Sequence, residues 1–362
     1  MIRFCSTACA VLMLGVAGPG AAQAQKSGAQ TVKLPAKTVA SAPLAQVDRS
    51  KRPVPGDIVD AAPAEDWAEI RPEDMLVMDL PPLRTVTGEK QRRVVIQLIP
   101  ESITGGWVRN IKKLAAERWY DGTAIVRVQD NYVTQWGDPT EKKPLPEGLQ
   151  TVPESDYVSP KLPARYLDWL MAIAMTRATQ SIRGNDNDDP PAPMLDDPAS
   201  GPSGKASFFY GWPVAIGSAQ QGSVWPIHCY GSIGVGRNVS PDTGSGAELY
   251  TVIGHATRQL DRNIAVVGRV ISGMEWLSSL PRGTGPLGFY EKPEERVPIR
   301  SIRMVTQMPE AERPRFEYLT TDSKSFADYV KLRANRHDSF YNVPAGGVDV
   351  CNVPVPIRPV KK

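Results

Sequence analysis

Three residues in one short stretch have types and spacing that could do chemistry. Arg127, Tyr132 and Gln135 lie in Ala124-Ile125-Val126-Arg127-Val128-Gln129-Asp130-Asn131-Tyr132-Val133-Thr134-Gln135. There the polar turn Gln129-Asp130-Asn131 separates two β-branched runs. Side chains alternate along a strand, so a strand–turn–strand unit can bring all three toward one concave face. The chemistry open to them is hydrogen bonding without a nucleophile. A guanidinium is a rigid fork of five N–H donors, a glutamine amide donates and accepts, and a tyrosine ring adds an apolar wall.

Other chemistries find little support. Gly283-Thr284-Gly285-Pro286-Leu287-Gly288 fits Gly-x-Gly-x-x-Gly, but it opens no helix after a strand and holds a proline, which argues against dinucleotide binding. Asn185-Asp186-Asn187-Asp188-Asp189 lacks the central glycine and closing glutamate of a calcium loop, and reads as a solvated acidic loop. His228, His255 and His337 are too scattered for zinc, and none accompanies a serine or cysteine in a hydrolase arrangement. No cofactor or metal is expected.

The elements that must position the three residues are short strands. Met75–Leu80 and Arg93–Ile99 read as strands joined by a hairpin connection over 81–91, and Ala124–Val128 and the run ending at Gln135 follow. Trp107, Ile111, Leu114 and Ala115 stand at i, i+4, i+7 and i+8, which predicts a helix over Gly106–Arg118. Further strands are expected over His228–Val235, Ala247–Gly254, Ile264–Val270 and Val297–Thr306, with a short helix over Gly273–Leu280. Tyr166–Ile182 reads as a helix and Gly184–Lys205 as loop, both inside an insertion at 139–226. Many short strands, two or three helices and 34 prolines point to an all-β, closed antiparallel barrel.

The ends of the chain set its compartment and partners. An apolar run from Ala8 to Ala17, then Ala22-Gln23-Ala24, reads as a signal peptide at 1–24 cut before Gln25. That run is shorter than the ~20 residues a span needs, so no membrane span is expected. Residues 25–64, rich in Pro, Ala, Ser and Lys, read as a flexible linker. A formal charge of +3 over 362 residues, with both signs interspersed, leaves no footprint for nucleic acid. Cys229 and Cys351 remain after cleavage, either as a disulfide tying down the tail or as two buried thiols. With no coiled-coil pattern, a monomer is expected.

The segment from Tyr120-Asp121-Gly122-Thr123 through Arg127, Tyr132 and Gln135 to Gly137-Asp138-Pro139 resembles the signature of the cyclophilins. Val94-Val95-Ile96-Gln97-Leu98 is similar to the family's opening strand, and Asp66–Leu80 to the lead-in of its bacterial periplasmic members. Gly231–Arg237, Ala247–Val252 and Leu260-Asp261 with Val266–Val270 fall where later family strands lie. The resemblance implies an eight-stranded barrel at 65–308 with a C-terminal extension at 309–362. It implies prolyl isomerisation, with Arg127 and Gln135 catalytic and with Tyr132, Val235, Glu248, Tyr250 and Leu260 at the substrate. Expected partners are proline-containing segments of exported proteins in the periplasm. Val126, Glu248, Leu249, Tyr250, Gln259 and Ile264 depart from the family's pattern. Glu248, beside Arg127, either withdraws the guanidinium or orients it. A catalytically weak chaperone or peptide-binding module of the same fold is the alternative.

Overall fold

The computed structural model describes residues 52–158, 195–201, 204–217 and 223–360. The expected leader, most of the arm after it, the helix expected over Tyr166–Ile182 and the Asn185–Asp189 run lie outside them.

Nine antiparallel strands form the main sheet. Their order is Val297–Pro298, Ala124–Val128, Val133–Gly137, Leu249–Val252, Ser232–Val235, Val266–Ser272, Gly88–Leu98, Met75–Thr85 and Ser301–Met304. The outermost two are successive in the chain. Between them, Ile299 N donates to Thr123 O and Arg300 N to Asp79 O, both at 2.9 Å. Neighbouring residues thus bond to opposite ends of the sheet, so it curls until those ends meet. The single strand expected over Val297–Thr306 is two pieces because the chain crosses that seam.

The main core fills the inside of the curl, and the helix Glu101–Ala116 closes onto it. Trp107, Ile111, Leu114 and Ala115 are all fully buried, as their spacing requires. Each large apolar side chain there contributes about 1.5–3 kcal/mol. The helix starts earlier than its stripe, with a kink at Thr104, which leaves helical geometry (φ −131°, ψ 46°) and whose hydroxyl donates to Val266 O at 2.8 Å. Trp107 Nε1 donates to Thr243 O at 3.0 Å, and its ring stacks on Tyr157 at 5.2 Å.

A second core joins three segments that are distant in sequence. Trp67 comes from the lead-in, Phe208 and Trp225 from the insertion, and Leu319, Phe326 and Val350 from the C-terminal extension. The run Gly184–Lys205 is not simply loop, since its described part opens the insertion's sheet with the strand Leu195–Asp196. Among the described residues of the insertion, a four-stranded antiparallel sheet is formed by Leu195–Asp196, Lys205–Phe209, Trp212–Ile216 and Val224–Pro226. Tyr210 and Gly211, at φ 46° and 81°, make the tight turn that a two-residue hairpin needs.

The segment read as a linker also carries a helix, Pro55–Ala61. Pro55 fits its first turn, and the Asp57 carboxylate accepts the Val54 N–H at 2.8 Å. Ile58 and Val59 then pack on the second core, which composition alone does not reveal.

The extension adds the strand Phe316–Leu319 between Trp67–Glu69 and Ile357–Pro359, and the helix Lys324–Ala334 capped by Ser323. Residues 339–356 are mainly irregular, with a short 3-10 helix at Val350–Asn352. A disulfide joins Cys229 to Cys351, 122 residues apart. No helix of the described residues is long and apolar enough to cross a membrane.

Candidate active site

Register across four strands builds the site. Arg127 faces Gln135, Gln135 faces Tyr250, and Tyr250 faces Gly234, so the four form one row across the sheet. The adjacent row, Ile125, Trp136, Leu249 and Val235, is buried in the main core. Ile125 and Arg127 are two residues apart and would share a face of a regular strand. A bulge at Val126 reverses the parity, so Ile125 goes inward and Arg127 outward.

The row corrects the role expected of Val235, which is fully buried and faces the core rather than a binding pocket. Gly234 faces the site instead. A Cβ there would lie 2.3 Å from Tyr250 Cζ, so only glycine lets the ring lie flat across that strand. The expectation had the correct strand and the wrong side of it.

The half-buried Arg127 guanidinium is held on three sides. Nε donates to Leu287 O at 2.7 Å, Nη1 to Gln135 Oε1 at 3.0 Å, and Nη2 to Gln129 Oε1. Its Cζ lies 5.5 Å from the Tyr132 ring centroid and 5.2 Å from that of Phe289, within cation–π range of both. Burial lowers its pKa from the usual arginine value, and Tyr132 and Glu248 offset part of that change. Among the described residues these bonds occupy three of its five N–H groups, and two face no acceptor.

Glu248 meets Arg127 only at one remove. Its carboxylate accepts from Gln135 Nε2, and Gln135 in turn presents its oxygen to Arg127. Among the described residues no ion pair joins Glu248 to Arg127. The carboxylate therefore fixes which end of the amide faces the guanidinium. Glu248 fits between two glycines, since a Cβ would lie 2.7 Å from its Cγ at Gly236 and 3.3 Å at Gly137. Burial raises its pKa above the ordinary carboxylate value, and the Gln135 bond offsets part of the rise.

Beside the row lies an apolar patch. Val133, Tyr250 and Val252 are buried in it, with Tyr132, Leu260 and Ile264 packed against them. Tyr132, Tyr250 and Leu260 thus lie together, and Ile264 joins them. Phe289, Leu287 and Gln129 were not anticipated at the site. Their one sequence signal was the glycine-rich run 283–288, which docks on the arginine strand through Gly283 N to Val128 O at 2.9 Å.

A family model described as "Cyclophilin type peptidyl-prolyl cis-trans isomerase/CLD" matches residues 83–304, more than half of the chain. Among solved structures, cyclophilin AquaCyp293 of Hirschia baltica is similar in fold, with 20% identity and a TM-score of 0.53 over 81% of this chain and 93% of that one. A cyclophilin-type isomerase of Cryptosporidium parvum, solved in the presence of the dipeptide Ala-Pro, is 13% identical over 63% of this chain and 98% of its own. Its TM-score is 0.32, too slight a likeness to argue from. No curated protein matches the chain. The family match takes in the arginine strand and the sheet from Gly88 to Met304, and the chain belongs to the cyclophilin-type peptidyl-prolyl cis-trans isomerase family.

Proposed function

We propose that this isomerase acts on exposed X–Pro bonds of exported proteins in the periplasm, as a monomer, through Arg127, Gln135 and Tyr250. The observation that carries the site is the row itself: a half-buried guanidinium, an amide and an aromatic ring in register beside an apolar patch. Export is supported by the leader read at 1–24 and by the Cys229–Cys351 disulfide, a bond that persists in oxidising compartments.

An X–Pro amide resists rotation by ~18–20 kcal/mol because its nitrogen lone pair is shared with the carbonyl. At the twisted geometry that sharing is lost and the nitrogen becomes an acceptor. An Arg127 N–H can then donate to it, a bond stronger at the twisted geometry than in either planar form, which is what accelerates the step. The second amide hydrogen of Gln135 holds a carbonyl oxygen of the peptide. The proline ring packs on Tyr132, Tyr250 and Leu260.

One observation favours a second reading, a peptide-binding chaperone with little turnover: Arg127 is already bonded on three sides. The rate of cis-to-trans conversion of a short Xaa-Pro peptide decides between them. Clear acceleration by the chain from Gln25 supports the enzyme, and tight binding without acceleration supports the chaperone. Fractionation of cells tests the compartment, and recovery in the cytosol would refute export.

Glu248 makes activity depend on pH. Its raised pKa means that the folded chain holds this proton more tightly than the unfolded chain. Its contribution to stability is therefore largest at low pH and is lost as pH rises from the ordinary carboxylate value through the raised one. Activity runs the other way, because the ionised form orients Gln135. The kcat/KM should fall on acidification through the raised pKa in the wild type and stay flat in Glu248→Gln. Parallel acid limbs in the two proteins would remove Glu248 from this role.

A further inference from the structure

Behind the apolar patch runs a buried polar chain that the reaction does not use. The Tyr250 hydroxyl lies 3.0 Å from His228 Nε2, and His228 Nδ1 lies 2.9 Å from Asp261 Oδ1. Asp261 Oδ1 also accepts the His228 backbone N–H at 3.0 Å, and its Oδ2 accepts Arg258 Nε at 2.7 Å. Arg258 then grips Asp197 with two bonds, of 2.8 and 2.7 Å. The His228 side chain is fully buried, and those of Asp261, Arg258 and Asp197 are nearly so.

The donors and acceptors fix the direction of this chain. Asp261, accepting from Arg258, requires a hydrogen on His228 Nδ1, so in the neutral ring Nε2 is the acceptor and the Tyr250 O–H donates to it. Both residues that the chain holds belong to the apolar patch. One is Tyr250, and the other is Leu260, which sits in the 3-10 helix Arg258–Leu260 directly before Asp261. Its far end, Asp197, lies in the insertion.

We propose that His228 is a positioning residue for the proline slot. Backed by Asp261, it holds the Tyr250 hydroxyl and so fixes the ring on which the substrate proline packs, with the insertion acting through Asp197 and Arg258 as the anchor. This rests on reading the patch as the proline slot. A ring that packs the proline equally well at every amide geometry supplies uniform binding, so its loss acts on KM rather than kcat.

The test uses the chain from Gln25 and two readouts on one Xaa-Pro peptide, namely steady-state isomerisation and calorimetric binding. His228→Asn keeps a donor toward Asp261 and cuts the link to Tyr250, Tyr250→Phe removes the hydroxyl, and His228→Gln restores the reach to it. Expected are a rise of about tenfold in KM and Kd for His228→Asn and for Tyr250→Phe, with kcat nearly unchanged. The double variant should be no worse than either single one, and His228→Gln should recover most of the loss. Additive effects, or no change in KM and Kd for variants that melt as the wild type does, would overturn the proposal. Wild type that binds the peptide without turnover refutes only the enzymatic use of the site, because Kd still tests the slot. Wild type that neither binds nor turns over refutes both.

Discussion

Arg127→Ala should lower kcat/KM for a short Xaa-Pro peptide by about 10²–10³-fold, the loss typical of removing one donor aimed at the transition state. The residue is half-buried on the outer face of the barrel, and of its acceptors Leu287 is exposed and Gln129 half-buried, with Gln135 buried beneath them. The fold should therefore survive, with an unchanged melting temperature as the control. Arg127→Lys should recover little. An ammonium keeps the charge but cannot make three bonds in one plane while still presenting a donor to the prolyl nitrogen. Activity retained within a few-fold in either variant would take Arg127 out of the chemistry and shift attention to the peptide-binding reading.

The second large effect is on stability. Reducing the Cys229–Cys351 bond, or replacing both residues by serine, should cost about 2–5 kcal/mol, roughly 5–15 °C in Tm for a domain of this size. The bond spans 122 residues, so it restricts a long loop of the unfolded chain. It also ties the 3-10 helix Val350–Asn352 to the segment just after His228, where the second core meets the barrel. Melting with and without reductant measures it. Identical curves would mean that Trp67, Phe208 and Phe326 hold the extension without help.

Much of this was legible in the sequence where the signal is local. The stripe Trp107, Ile111, Leu114 and Ala115 defines a helix face, and the strand–turn–strand spacing groups Arg127, Tyr132 and Gln135. What was missed depended on parity or on distance. The resemblance points to the strand that holds Val235, but only the register Gly234–Tyr250 tells which face is which. Arg127 reaches the outer face through a bulge that alternation cannot foresee. The second core joins Trp67, Phe208 and Phe326, residues too far apart for any periodicity to link. His228 looked like an isolated histidine because its partners Tyr250 and Asp261 arrive from other segments.

The seam at Ile299 and Arg300 also bears on strand-to-strand aggregation. An open sheet presents unpaired N–H and C=O groups that template further strands and so seed aggregation. Here the outer side of the arginine strand is already occupied: Gly283 N and Tyr290 N donate to Val128 O and Val126 O, Ile299 N donates to Thr123 O, and Val297–Pro298 pairs alongside. An unfolded chain held beside Arg127 therefore finds no vacant ladder on that strand to extend. What that strand offers a neighbouring peptide is side chains and a few amides, not an edge that could take the next strand of a growing fibril.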